Sequence, residues 1–303
     1  MGEPCPNAKS YTDLIETKEP KFFLKTRTFL LDHTDTFPYI LRYPPHINKT
    51  MNLKTNTKTA LIDLELISYS HAAKAESTGT GLQSLVEMVE FTIQSVVSAC
   101  RAQQHYLVVS GRDNFRKVLY PDYKAGRREK PPLYAPLMDK LEEANASRWC
   151  KHDQLEADDL LGIMLTNGRV KNPILCSIDK DLLGVPGWHY NWNKDDWPRG
   201  VTQAEADFHW LVQLLMGDST DNIEGMKGIG IAKAQKLASA YCERMGTPPS
   251  PIPAAKEIYE AEGFTLDAYT KCLMLISIWR SPMPPELLEN ELILEVSKTI
   301  PSL

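Results

Sequence analysis

Two short apolar runs, each closing on an aspartate, constrain this chain more than any other feature. One is Thr59-Ala60-Leu61-Ile62-Asp63. The other is Pro173-Ile174-Leu175-Cys176-Ser177-Ile178-Asp179. A short apolar run without polar alternation reads as a strand buried on both faces. After the first run, Leu82, Leu85, Val86, Val89, Ile93, Val96 and Val97 recur at helical spacing across Gly81–Ala102. His105-Tyr106-Leu107-Val108-Val109-Ser110 then reads as another strand. Strand, helix, strand at this spacing is a βαβ crossover and predicts a parallel sheet. Open parallel sheets take ligands beyond the carboxyl ends of their strands, which is where Asp63 and Asp179 fall.

More acids join these two. Leu155-Glu156-Ala157-Asp158-Asp159-Leu160-Leu161 sets three carboxylates at the entry of an apolar helix, and Asp179-Lys180-Asp181 and Asp218-Ser219-Thr220-Asp221 follow. Each piece alone has a bland reading, because an acid before a helix is usually a cap. Gathered without a cation, eight such carboxylates would repel one another, and some would stay protonated. Oxygen-only ligands suit Mg²⁺ or Mn²⁺, with water and a substrate phosphate completing the coordination. Two such ions about 4 Å apart activate a water and stabilise the leaving oxygen of a phosphodiester. The chain has no Gly-x-x-x-x-Gly-Lys-[Ser/Thr] loop, so nucleotide hydrolysis of the P-loop kind is disfavoured.

A net charge of −5 and a pI near 5.9 would argue against a nucleic-acid partner, were the charges evenly spread. They are not. Between Arg112 and Lys130, seven basic residues (Arg112, Arg116, Lys117, Lys124, Arg127, Arg128 and Lys130) face three acids (Asp113, Asp122 and Glu129). The difference is four positive charges, with Phe115, Tyr120 and Tyr123 interleaved. A solvated loop is the plain reading, and a phosphate-gripping segment with stacking side chains the sharper one. Further on, Gly225-Met226-Lys227-Gly228-Ile229-Gly230 separates helix-prone segments, with Lys233 in the second. That is a helix–hairpin–helix pattern, whose glycines let backbone N–H groups approach a phosphate.

The six cysteines form no CxxC pair and suggest neither zinc nor a disulfide framework. No apolar run reaches membrane-spanning length, and Met1–Pro6 lacks a secretory layout, so a cytoplasmic protein is expected. Residues 1–58 lack periodicity and read as a peripheral extension. The segment 247–253 reads as a proline-rich loop and 254–281 as helical, while Leu292–Val296 is uninformative.

The series Glu156-Ala-Asp158-Asp159, Ser177-Ile-Asp179-Lys-Asp181, Gly217-Asp218-x-x-Asp221-Asn222 and Gly225-x-x-Gly228-Ile229-Gly230 resembles the 5′-nuclease (flap endonuclease) superfamily. Asn114-Phe115-Arg116-Lys117 and Pro121-Asp122-Tyr123-Lys124-Ala125-Gly126-Arg127 are similar to segments of stand-alone bacteriophage 5′→3′ exonucleases and of the 5′-nuclease domain of bacterial DNA polymerase I. The resemblance covers roughly residues 59–281. It implies an α/β fold: a PIN-like parallel sheet flanked by helices over 59–200, an arch over about 112–150, and a helix–hairpin–helix subdomain over 201–303.

By the same resemblance, Asp63, Glu156 and Asp158 would hold one metal, and Asp179, Asp181 and Asp221 a second, with Asp159 and Asp218 near or bridging. Lys124 and Arg127 would steer the scissile phosphate. Arg116, Lys117, Tyr123, Arg128, Gly228, Gly230 and Lys233 would bind DNA, and K⁺ is held at this turn in some relatives. The implied substrates are DNA 5′ ends, flaps or nicks, with RNA primers in hybrids as a further class, acted on by a monomer. Two positions depart from the family pattern. Leu64 and Glu65 follow the first aspartate where glycine is usual. The second strand ends in Val109-Ser110-Gly111 rather than in an aspartate, and Asp113 is expected to serve instead. The runner-up reading is a DNA-binding protein with this fold and weakened catalysis.

Overall fold

The computed structural model describes residues 57–245 and 250–300. The expected extension therefore lies outside the described residues, apart from Thr57 and Lys58. Five strands are parallel neighbours: β1 (Thr59–Asp63), β2 (Gln104–Val109), β3 (Trp149–Lys151), β4 (Pro173–Cys176) and β5 (Gly187–Tyr190). β6 (Arg199–Val201) runs antiparallel to β5 and ends the sheet. The spatial order is β3-β2-β1-β4-β5-β6. The chain thus starts in the middle, builds outward to β3, then returns to the other side of β1. The reversal falls between β1 and β4, where open sheets hold their ligands.

β1 is buried at every residue. Successive side chains of a strand point to opposite faces, and both faces of this strand meet a core. Ala60 and Ile62 pack with α1 (Leu64–Thr78), α2 (Leu82–Ala99) and, beyond the short α3 (Phe115–Leu119), with α4 (Tyr134–Asn145). Leu61 faces the opposite way, with Val108 and Leu175, onto α5 (Ala157–Thr166). α5 is buried along nearly its whole length. Its far side meets the C-terminal helices, and a Cβ on Gly162 would stand 2.3 Å from the Trp279 carbonyl. Only glycine lets the two backbones come this close.

Those later elements are α6 (Gln203–Met216), a two-residue ribbon of β7 (Gly217–Asp218) and β8 (Ile223–Glu224), then α7 (Ile231–Met245), α8 (Pro251–Ala261), α9 (Leu266–Ile276), α10 (Pro285–Leu288) and α11 (Glu291–Thr299). The expected proline-rich loop turns helical at Pro251. Pro251 and Pro253 sit in the first turn, where no intrahelical partner exists for the N–H that proline lacks. The helical stretch expected over 254–281 is two helices, broken at Gly263 with φ +79°. Among the described residues, no helix is long and apolar enough to cross a membrane.

One buried ion pair ties the two cores' neighbours together. Arg116, 3% exposed, reaches Asp159, which is fully buried, with Nη1–Oδ2 at 2.6 Å and Nη2–Oδ1 at 2.8 Å. It also donates to the carbonyls of Leu275 and Ser277, both at 2.8 Å, and Nη1 lies 3.4 Å from Glu156 Oε2. Asp159 Oδ1 also accepts the Trp279 N–H at 3.2 Å. Breaking such a pair leaves an uncompensated buried charge. Arg116→Met is therefore expected to cost ~3–5 kcal/mol in urea unfolding. Arg116→Met combined with Asp159→Leu is expected to recover most of that loss; an equal loss in both variants would rule out the pair as the cause.

Candidate active site

Because β1, β2, β3 and β4 are parallel, their carboxyl ends share one edge. Asp63 ends β1 and caps α1, Oδ1 accepting the Leu66 N–H at 3.4 Å. The loop after β4 brings Ser177, Asp179 and Asp181. Ser177 Oγ donates to Asp63 Oδ2 at 2.8 Å and accepts the Asp179 N–H at 3.0 Å. Asp179 Oδ1 accepts the Asp181 N–H at 2.9 Å. Glu156 is the N-cap of α5, and Asp158 lies in its first turn. Acids suit this position, near the positive end of the helix dipole. From the other side the β7–β8 ribbon presents Asp218 and Asp221. A cavity of about 40 Å³ is lined by Glu156, Asp158, Asp181, Asp218 and Asp221 together with Lys124.

The electrostatics follow from this gathering. Burial pushes Asp63 up to about 7, helped by the charges of Glu65 and Asp179 and opposed by the Ser177 hydrogen bond. Burial also drives Asp158 well above the ordinary carboxylate range, with Asp179, Asp63 and Glu156 adding to it. Asp181 is pushed to about 6 by burial and by Asp179 and Asp218. Glu156 goes the other way. Its burial is outweighed by the charges of Lys124 and Arg116, which hold it below the usual range.

The basic segment lies directly on these acids. Tyr123 donates its hydroxyl to Glu156 Oε2 at 2.7 Å, and Lys124 Nζ contacts Glu156 Oε1. Lys124 Nζ is also 3.5 Å from Asp221 Oδ2. Arg127 grips Asp221 Oδ1 through Nε at 2.9 Å and Nη2 at 2.5 Å. The arch expected over about 112–150 contains α3, a run of turns through Gly126 and then α4, so its centre is turn rather than helix. Lys117 and Arg128 are exposed.

Several expected residues sit elsewhere. Arg116 and Asp159, expected at phosphate and metal, are bound to each other in the interior. Tyr123, expected on DNA, is 3% exposed with its hydroxyl committed to Glu156. Asp113 does not join the acids. Gly111 N–H is bonded to the Leu155 carbonyl and Asp113 N–H to the Asp153 carbonyl, both at 2.8 Å. This pairing runs the chain along the 153–155 segment and leaves Asp113 exposed. A Cβ on Gly111 would lie 2.1 Å from the Asp153 carbonyl oxygen. The residue that follows β2, Ser110, instead meets Glu65, whose Oε2 accepts from Ser110 Oγ at 2.7 Å. Ser110 Oγ in turn accepts the Ala157 N–H at 3.1 Å. Glu65 had a signal in the sequence: it lies two residues past Asp63, on the same turn at the same sheet edge.

In the Gly225–Gly230 turn between β8 and α7, Ile229 is buried while Gly228 and Gly230 are exposed. Gly228 has φ +77°, which favours glycine. Lys233 is exposed in the first turn of α7.

A divalent cation tests this donor set. Among the described residues, no three acids, histidines or cysteines already form a ready ligand group. Lys124 and Arg127 occupy oxygens of Glu156 and Asp221. The donors themselves fit, being oxygen-only, and Asp63, Asp158 and Asp181 are raised toward the protonated state where no cation reaches them.

Comparison with known proteins agrees with this layout. The family described as 5′-3′ exonuclease, N-terminal resolvase-like domain matches residues 58–196. The exonuclease of Escherichia phage T7 is 32% identical over 123 residues, 39% of this chain and 41% of its own. DNA polymerase I of Treponema pallidum is 32% identical over 161 residues, 47% of this chain and 16% of that one. Flap endonuclease Xni of Shewanella baltica (strain OS185) is 28% identical over 198 residues, 61% and 75% of the two chains. The chain thus spans 41% of the phage exonuclease and less of the polymerase. Two crystal structures of bacteriophage T5 D15 protein share the fold at 15% identity, covering 80% of this chain and 97% of theirs. The one co-crystallized with metal ions has a TM-score of 0.53, and the flap endonuclease complex with DNA and metal ions 0.55. Residues 58–196 are thus the part of this chain that is similar to the 5′-3′ exonuclease N-terminal resolvase-like domain.

Proposed function

We propose that the chain is a metal-dependent 5′→3′ exonuclease and flap endonuclease that hydrolyses DNA phosphodiesters. One observation carries this reading: acids from β1, the β4 loop, α5 and the β7–β8 ribbon meet at the switch point of the sheet, beneath a basic segment. Asp63, Glu156 and Asp158 would hold one Mg²⁺ or Mn²⁺, and Asp179, Asp181 and Asp221 a second, with Asp218 beside them. Bound there, the two ions supply activation of a water and stabilisation of the leaving oxygen.

The chain's own residues do the rest. Lys124 and Arg127 stand where they can meet the scissile phosphate and offset its developing charge. Exposed Lys117 and Arg128 extend that grip. The Gly228–Gly230 turn and Lys233 bind the duplex backbone, and the turn would hold K⁺, which would supply positive charge toward a phosphate. The chain would work as a monomer in the cytoplasm, on 5′ ends, flaps and nicks, with RNA primers in hybrids as a second substrate. The exposed position of Asp113 favours one other reading, a DNA-binding protein of this fold with weakened catalysis.

Cleavage of 5′-labelled flap, nicked and blunt duplexes decides between them. Wild type is expected to cut with Mg²⁺ and not with EDTA, and Asp179→Asn to lose at least about a hundredfold. Tight binding with no cutting on any substrate would establish the second reading. For Lys233→Ala, duplex affinity is expected to weaken uniformly across sequences and the salt slope to fall by about 1; an unchanged slope removes Lys233 from the interface.

The carboxylates also predict a pH effect. Asp63 is raised in the folded state from 3.8 to about 7. Its contribution to metal-free stability is therefore full below about pH 4 and is lost as pH rises through 7. Asp63→Asn keeps the Oδ1 acceptor for the Leu66 N–H. In EDTA the variant is expected to be the more stable protein at pH 8, by on the order of 1–3 kcal/mol, with the gap closing by pH 4. Mg²⁺ should stabilise wild type more than the variant at pH 8. A pH-independent gap in thermal melts would show that Asp63 is not held protonated.

A further inference from the structure

Lys124 and Arg127 stand in two roles that cannot be filled at once. In the proposed reaction they face a phosphate. In the structure they are spent on Glu156 and Asp221, two of the oxygens a divalent cation would need. Glu156 has neither oxygen free: Oε1 carries Lys124, and Oε2 carries Tyr123 with Arg116 Nη1 at 3.4 Å. Asp221 gives Oδ1 to both Arg127 donors, with Lys124 near Oδ2. The backbone repeats the arrangement. Lys124 N–H donates to the Asp221 carbonyl at 3.0 Å, and Asn222 Nδ2 donates to the Asp122 carbonyl at 3.0 Å.

Two further observations show that this contact is held rather than relaxed. Lys124 has φ +62° and Asn222 has φ +57°. Both are left-handed conformations that residues other than glycine adopt sparingly, and here they face each other across the contact. Beyond Tyr123, which is buried in the core with its hydroxyl on Glu156, this contact is what holds the basic turn. The remaining backbone hydrogen bonds between Tyr120 and Arg127 are local turn bonds, and residues 125–130 are exposed.

We propose that the basic turn is an electrostatic latch. In the metal-free protein Lys124 and Arg127 neutralise Glu156 and Asp221 and hold the turn down on the acids. When a divalent cation takes those oxygens, the two side chains are released, the strained contact opens, and both cations face the entrance where a phosphate arrives. The latch rests on the metal reading above and adds an order to it: cation first, then a mobile basic turn, then substrate. By reciprocity, anything that pins the turn down weakens the cation.

Hydrogen exchange on the full chain, without DNA, tests this. Adding Mg²⁺ is expected to speed exchange of the amides of 121–127 by about tenfold, as for a locally opened segment, while 156–160 and 177–182 become slower. Asp221→Asn should exchange fast at 121–127 without Mg²⁺ and gain little on adding it. Slower exchange at 156–160 and 177–182 with no change, or added protection, at 121–127 overturns the latch and leaves the metal reading standing. No protection at any of the acids overturns the metal reading, and the latch with it.

Discussion

Like charges brought to one sheet edge repel, and the arrangement around that edge answers this repulsion. Asp63, Asp158, Asp179 and Asp181 come from elements that the sheet topology forces together. Nothing in a stable core requires them. Burial and mutual repulsion disfavour ionisation of Asp63, Asp158 and Asp181, so these three are a standing cost to the metal-free fold. The structure offsets it in two ways. Serine hydroxyls at Ser110 and Ser177 donate to Glu65 and Asp63. Cations of the basic turn cover Glu156 and Asp221.

The three acids of the α5 entry show how one short motif divides its labour. Glu156 caps the helix and meets Lys124, Asp158 faces the acids from the sheet, and Asp159 turns inward to Arg116. Helix geometry separates them: neighbours along a helix point about 100° apart, so Asp158 and Asp159 cannot share a face. Arg116 can be buried because its guanidinium finds a bidentate carboxylate and two carbonyls, which match its planar fork.

Much of this was legible in the sequence. The apolar runs ending in Asp63 and Asp179 gave strands, and their parallel pairing follows from the crossover between them. What stayed hidden has physical causes. α1 buries Ser68, Ala72 and Ala75 beside Leu64 and Ile67, so its inward face carries small or polar residues and little periodic signal. Arg116 and Lys117 are adjacent, and composition treats them alike; only the carbonyls of Leu275 and Ser277, distant in the chain, decide that one is interior and the other exposed. Asp113 looked close enough to the strand end to serve. Backbone pairing with 153–155, which no local pattern announces, turns it away.

The hydrogen bonds from Leu275, Ser277 and Trp279 to the Arg116–Asp159 pair carry one more consequence. They splice the segment after α9 into the wall behind the acids. Residues 275–279 therefore act as a keystone although none of their side chains carries a formal charge. Loosening them would strand a buried arginine and a buried aspartate at once. The shared hydrogen bonds couple the part of the chain that bears the acids to the segment around the end of α9, so loosening one is expected to loosen the other.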